Sequence, residues 1–465
     1  MNDKSTKNAA LIVAIISSFI TPFLSSGVNV ALPSMGRLYQ MDAVLLSWVA
    51  TSYILASVVF LVPFGRLADI YGRKRTLLWG YIIFTMTTLG CGLATTVPVL
   101  ILFRVIQGFG SAMIFATGIA ILVSVFPPQE RGRVLGITVA AVYCGLSVGP
   151  FIGGFLTEHL SWRAVFFVNV PLGLIIIFLV FYKLRGEWAE AKGEKFDMTG
   201  ALIYGIGIIA LIYGLTQLST LPGVCLILIG LIGMYAFVKW ETRVEYPIFE
   251  LSLFRHNRVF AFSNVAALIN YSATSAVAFL LSLYLQHIKA LSPQHAGLVL
   301  IAQPIVQAVF SPFAGMLSDR VEPRIVSSLG MAITTVGLLM LVFLGSESGL
   351  VFIIGTLVTL GFGFALFSSP NMNAIMGSVE RKFFGLASGS VGTMRMLGMI
   401  ISMGIATLVF THFIGRVQIT PEVYPVFMKS VGIAFMIFAI FCFGGVFASM
   451  IRGKLRPLAG PEGVK

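Results

Sequence analysis

Apolar stretches of roughly 20 residues, the length of a helix that crosses a bilayer, recur along the whole chain with short polar turns between them. Fourteen spans can be drawn, at about 9–31, 44–65, 76–96, 98–124, 134–157, 164–182, 198–217, 222–238, 259–285, 294–317, 325–344, 350–377, 384–413 and 426–450. The apolar positions run continuously rather than alternating, which excludes a transmembrane β-barrel. The longest polar stretch, Gly186 to Asp197, reads as a loop, so a separate water-soluble domain has no room. The pattern predicts an all-α polytopic membrane protein.

The pattern also repeats. Gly65-Arg66-Leu67-Ala68-Asp69 has a partial echo in Gly315-Met316-Leu317-Ser318-Asp319, and both glycines and both aspartates are 250 positions apart. Each copy follows the second span of its half. The expected plan is a six-helix bundle over 1–185, a linker with two additional spans over 186–257, and a second six-helix bundle with its tail over 258–465. Two similar halves around a central cavity are a transporter plan. A channel would need a repeated filter motif, and none is present.

Composition agrees: 57% of residues are hydrophobic and 11% charged, against roughly 25% charged in soluble domains. A net charge of +13 raises the question of nucleic acid, but its placement answers it. With the N-terminus inside, the loops on that side and both tails hold 24 of the 31 Lys and Arg. Five lie outside or at outer span ends (Arg37, Arg163, Lys289, Arg416, Lys429), and two, Arg104 and Arg395, lie within spans. That asymmetry places both termini in the cytoplasm. Cys91, Cys144, Cys225 and Cys442 all fall inside spans, so no extracellular disulfide framework is expected. The first apolar run is too long for a cleavable leader and reads as the first span.

Candidate chemistry falls into four groups. Gly65 to Arg75 is a basic loop in which Gly65 and Gly72 permit close approach and a tight turn. Asp69 can accept from Arg73 or from a neighbouring helix N-terminus, and so latch one face shut. Gly315 and Asp319 would form the second copy of this gate. Arg104, with Gln107 nearby, is an intramembrane charge and therefore a functional candidate; Arg395 is another. Gly145, Gly149 and Gly153 form one stripe on the fifth span, beside Pro150 and Gly154, where close packing and a missing backbone donor suit a moving helix. Ser25, Asn29, Tyr143, Asn270, Gln303, Gln307, Asn371, Asn373 and Arg395 are the candidate cavity residues. His159, His287 and His412 lie near outer span ends and read as interfacial. No nucleophile–base or metal-ligand constellation appears, so neither catalysis nor a cofactor is expected.

The chain resembles the major facilitator superfamily from about Ala9 to Arg452. Gly65–Arg75 is similar to the signature loop between spans 2 and 3. Arg104, Gln107, Gly108 and Gly110 match the span 4 motif associated with proton coupling. Gly145–Gly154 matches the span 5 motif of antiporters. Phe196-Asp197-Met198-Thr199-Gly200 and Trp162-Arg163…Asn169-Val170-Pro171-Leu172-Gly173 resemble the fourteen-span drug:proton antiporter branch. The resemblance implies the major facilitator fold and proton-coupled export of hydrophobic compounds. It implies a plasma-membrane protein whose partners are a lipophilic small molecule, protons and the bilayer, with a monomer as the expected state.

One departure bears on the cargo. Val28-Asn29-Val30-Ala31-Leu32-Pro33 matches the end of the branch's span 1 motif, but Leu24 stands where an acid is usual. None of the 18 acids falls within a span as drawn. Neutral or anionic ligands suit this inventory better than permanent cations. The competing readings are export of an organic anion or metabolite and, from another class, a non-transporting scaffold or lipid-handling protein.

Overall fold

The computed structural model describes residues 3–217, 220–249, 252–380, 384–415 and 417–453. The side chain of Asp319 lies outside the described residues, as do Arg416 and the tail from 454. Fourteen helices, some of them joined pairs, are long and apolar enough to cross a membrane. The first half holds α1 (Asp3–Tyr39), α2 (Ala43–Tyr71), α3 (Arg73–Leu93), α4 (Val97–Val125), α5 (Pro128–His159), α6 (Trp162–Phe167) and α7 (Asn169–Tyr182). Then come α8 (Met198–Thr216), α9 (Leu221–Glu241) and the short α10 (Ser252–His256). The second half holds α11 (Arg258–Thr274), α12 (Val277–His287), α13 (Pro293–Leu300), α14 (Ala302–Arg320), α15 (Pro323–Val342), α16 (Leu350–Gly377), α17 (Phe384–Phe413) and α18 (Tyr424–Ile451).

Three spans that hydropathy draws as continuous are broken. Pro171 and Pro304 each follow a break, after α6 and after α13, where a proline removes the donor that would bond four residues back. The break between α11 and α12 has no proline. There the Thr274 and Ser275 hydroxyls bond the carbonyls of Asn270 and Tyr271 at 2.8 and 2.7 Å, competing with the helix ladder.

The halves repeat one set of pairings. α1 packs on α5, and α4 on both α2 and α3; likewise α11 packs on α17, and α16 on both α14 and α15. The inserted α8 lies against α2 and α17, with α9 outside it. Tyr204 of α8 fixes this contact by donating to the Val58 carbonyl at 3.1 Å.

An even number of crossings puts both chain ends on one face, the termini face. Hydrogen bonds between the halves gather toward the opposite, far face. Ser282 and Gln286 of α12 donate to the carbonyls of Asn29 and Val30 at 2.7 and 2.8 Å. Thr407 bonds Ser47 at 2.9 Å, and the Gln294 amide at the start of α13 donates to Glu158 at 3.0 Å. Ala43 and Gln418 complete the seam through the Val417 and Gln40 carbonyls. Among the described residues, no hydrogen bond joins the halves at the termini face. Among the described residues, then, the two halves are bonded to each other across the far face and not across the termini face.

α5 is the helix on which this closure rests. Pro150 does not break it; the helix runs unbroken from Pro128 to His159. Its glycines serve two neighbours. A Cβ on Gly145, Gly149 or Gly153 would come within 2.5 Å of the Phe19 carbonyl, 2.0 Å of Ser26 Oγ and 2.6 Å of Gly27 Cα, so this stripe seats α1 inside the first half. A Cβ on Gly154 would come within 2.4 Å of the Pro293 carbonyl, and one on Gly297 within 2.1 Å of the Pro150 carbonyl. Those two glycines therefore make the contact between halves, backbone against backbone.

Two adjacent substitutions should separate these roles. Gly153→Leu should force α1 from α5 and destabilise the half by about 1–3 kcal/mol or more, as overpacking does, which a thermal melt of the purified protein reads. Gly154→Leu should leave the melt near wild type while barring far-face closure. A thiol placed at Gln294 should then label faster than in the wild-type background.

Candidate functional site

The basic loop at the termini face is built on a turn that needs glycine. Gly72 has φ +119°, and a Cβ there would lie 2.4 Å from Glu187 Cδ. The turn brings Arg73 Nε to Asp69 Oδ1 at 2.7 Å. Arg73 Nη1 also donates to Ser124 at 2.6 Å, and its two terminal nitrogens hold Glu190 at 2.7 and 3.1 Å. Glu187 accepts from the Lys74 amide at 2.8 Å and faces Arg75 at 3.6 Å, while Glu194 pairs with Arg66. Backbone bonds from Ala191 to the Asp69 carbonyl and from Arg73 to the Trp188 carbonyl seat the segment after α7 directly on the loop. In this conformation Asp69 bonds within its own half. Sequence reasoning missed Glu187, Glu190 and Glu194, although three acids facing four basic positions were a readable charge match.

The second copy of the loop differs. A Cβ on Gly315 would meet Ser369 Oγ at 3.1 Å, and Ser318 accepts from Asn373 at 2.6 Å. Gly65 has looser surroundings, with Ala116 at 4.0 Å.

Arg104 is 2% exposed and enclosed by the first half. Its Nε donates to the Val49 carbonyl at 2.9 Å and its Nη1 to Gln107 at 2.6 Å. Gln107 in turn donates to Thr88 at 2.6 Å, and the guanidinium stacks 4.3 Å from the centre of the Tyr53 ring. The arrangement ties α2, α3 and α4 together around one buried charge. Arg163 plays a comparable part at the far face, donating to the Tyr39 hydroxyl and the Ala94 carbonyl at 3.1 Å each.

Arg395 is different. It is half-buried, and among the described residues its guanidinium makes no hydrogen bond or ion pair with the protein. It lies 5.6 Å from the ring centre of Tyr271, which meets Phe364 edge-on at 5.6 Å. Gly398, one turn along α17, lets α11 approach to within 2.6 Å of where a Cβ would be. Tyr271 also adjoins Tyr143 and Ser368. Tyr143 and Ser368 share a hydrogen bond of 2.9 Å from α5 to α16, across the two halves. Tyr143, Ser368 and Arg395 lie roughly 24–27 Å from the far ends of α5, α16 and α17 at about 1.5 Å per residue. Tyr143 and Arg395 are sequence candidates for the cavity; Tyr271, Phe364 and Ser368 are not, since aromatic and hydroxyl residues are common in such helices.

The remaining cavity candidates divide. Ser25, Asn29 and Gln303 are half-buried and Gln307 is buried; among the described residues no side chain bonds theirs. Asn270 is fully buried with both amide atoms unpartnered. Two others sit elsewhere than expected. Asn371 donates to the Ser263 carbonyl at 3.1 Å and accepts from the buried Arg452, just past the end of α18, at 2.8 Å. Asn373 belongs to the second gate copy. Leu24 is 2% exposed and part of the core rather than of an open wall.

Asp69→Asn tests the gate. It keeps the shape of the loop and removes the charge that pairs with Arg73. A charged hydrogen bond contributes about 1.5–3 kcal/mol, so transport turnover should fall about tenfold while substrate affinity stays within a few-fold. Lost binding with normal turnover would contradict a gating role.

The comparisons with known proteins agree with this geometry. A family model described as Major Facilitator Superfamily matches residues 14–263 and 263–463. The chain is 30% identical over 409 residues to the riboflavin transporter RibZ of Clostridioides difficile, covering 87% of this chain and 88% of that one. It is 31% identical over 384 residues to the multidrug resistance protein Stp of Mycobacterium tuberculosis, covering 81% and 71%. Among solved structures, the human organic anion transporter MFSD10 has the same fold, with a TM-score of 0.64 at 12% identity over 97% of this chain and 100% of that one. With fourteen apolar helices, two repeated bundles and matches along nearly its whole length, the chain belongs to the Major Facilitator Superfamily and is a multi-pass membrane transporter, not an enzyme.

Proposed function

We propose that the protein exports lipophilic compounds from the cell in exchange for protons, by alternating access. The bundles 1–185 and 258–465 rock against each other, the linker 186–257 carries the extra pair, and one copy suffices. The basic residues of the termini face support the reading that this face is the cytoplasmic side of the plasma membrane. The observation that carries the reading is the bonded seam at the far face, with no hydrogen bond between the halves at the termini face among the described residues, which fits the state in which an exporter takes up cargo. The name of Stp, a multidrug resistance protein, is consistent with drug efflux. Arg104 and Gln107 are the proton-coupling candidates.

Arg395 favours a second reading of the cargo. A guanidinium inside a membrane domain without a carboxylate partner is expensive unless an anion or water meets it. Here an aromatic ring, Tyr271, backs it, and Ser25, Asn29, Gln303 and Gln307 are free to bond a ligand. This set takes neutral or weakly acidic amphiphiles. A quaternary ammonium would lose hydration and meet a like charge.

Proteoliposomes with an imposed pH gradient test both statements. Uptake of a neutral dye into vesicles acidic inside should exceed that of a quaternary ammonium dye and should stop when the gradient collapses. Gradient-independent transport would remove the antiport reading. Arg395→Ala should lower transport of a carboxylate dye about tenfold or more, the loss of one charged hydrogen bond, and leave the neutral dye within a few-fold. Equal loss for both dyes would remove the anion reading.

A further inference from the structure

The base of the inserted helix pair holds two buried carboxylates that no transport step above uses. Asp197 caps α8: its Oδ1 accepts from the Gly200 amide at 3.0 Å, and its Oδ2 from the Trp240 indole at 2.7 Å. Glu241 ends α9, and its Oε2 accepts from the Phe249 amide at 2.9 Å. The other oxygen, Oε1, is buried and has no partner. Asp197 is 9% and Glu241 5% exposed. A Cβ on Gly200 would lie 2.3 Å from Asp197 Oδ2 and 2.7 Å from Glu241 Oε1, so the two oxygens flank one small space that glycine leaves open.

An orphaned carboxylate oxygen in such a place is a contradiction if both groups are ionised. Burial opposes charge, a second carboxylate opposes it again, and an unmade hydrogen bond at a charged atom costs more than at a neutral one. A single proton removes all three difficulties. We propose that Asp197 and Glu241 form a proton-binding site, in which Glu241 holds the proton on Oε1 and directs it to Asp197 Oδ2.

The groups that face the site fit this. From α2 comes Arg66, which is already paired with Glu194 of the preceding segment. Beyond α9 lie the exposed Glu245 and the half-buried Tyr246, which lies near Glu194 and Arg66. Arg66 belongs to the gate loop, and its buried Nε has no partner. When the proton leaves, a second negative charge stands near Arg66 and competes with Glu194 for it. The site thus links the protonation of the inserted pair to the loop at the base of α2. It does not depend on the cargo or on proton-coupled export. The proton is bound at low pH and lost as the pH rises through the titration of the pair.

Infrared difference spectroscopy of the full chain in lipid, titrated with pH, reads the proton directly. The wild type should show the carbonyl stretch of a protonated carboxyl at neutral pH that disappears at alkaline pH. Glu241→Gln should abolish that band while keeping the wild-type melting temperature, because an amide can donate to Asp197 Oδ2 and accept from Phe249 as the protonated acid does. Asp197→Asn should move the midpoint of the titration to lower pH. An absent band in the wild type, a band unchanged in Glu241→Gln, or an unmoved midpoint in Asp197→Asn would overturn the proposal. So would a melting temperature for Glu241→Gln as low as that of Glu241→Ala, since that would mean Glu241 serves as a charged partner of Arg66.

Discussion

α5 is held on two sides by backbone contact. Gly145, Gly149 and Gly153 admit α1, while Gly154 and Gly297 let α5 and α13 meet across the two halves. Contacts of this kind have no side chain to give way, so they are made at one distance or not at all. A seam built on them has two arrangements rather than a continuum. The hydrogen bonds of Ser282, Gln286, Thr407 and Gln294 lie along the same seam.

Buried charge in this molecule follows the same division between structure and motion. Arg104 is bonded to Val49 and Gln107 and stacked on Tyr53, so it holds one half together. Arg73 is likewise satisfied, by Asp69, Ser124 and Glu190. Arg395 has a ring behind it and, among the described residues, no carboxylate partner, and it lies level with the Tyr143–Ser368 bond that spans the halves. On the alternating-access reading proposed above, an arginine at the junction of the two halves can distinguish cargo by charge. One bonded within a single body cannot do so without first giving up its partners.

The fourteen spans were legible because bilayer thickness imposes a length, and the repeat because equivalent helices of the two halves carry similar motifs at a fixed offset. Gly72 and the α5 stripe were legible because only glycine permits that turn and those approaches. The acids of 187–194 were not: a polar loop between spans looks alike whether it is free or bonded to residues more than 100 positions earlier. The breaks before Asn169, Val277 and Ala302 were hidden by unbroken hydropathy. Asn371 looked like a cavity amide because its partner, Arg452, lies 81 positions away. Leu24 marks the same limit, since a missing acid says what a wall lacks but not whether the position reaches it.

The central claim is that the two halves exchange closure at one face for closure at the other. Spin-label pairs read this directly. Tyr71 and Val321 are exposed near the termini face, and Leu160 and Val351 near the far face, each pair with one member in each half. Double electron–electron resonance on both pairs, with pH and cargo varied, should give distance distributions that move in opposite directions: when Tyr71–Val321 shortens, Leu160–Val351 lengthens. Distances that move in the same direction, or a far-face distance that never changes while cargo is transported, would contradict the account.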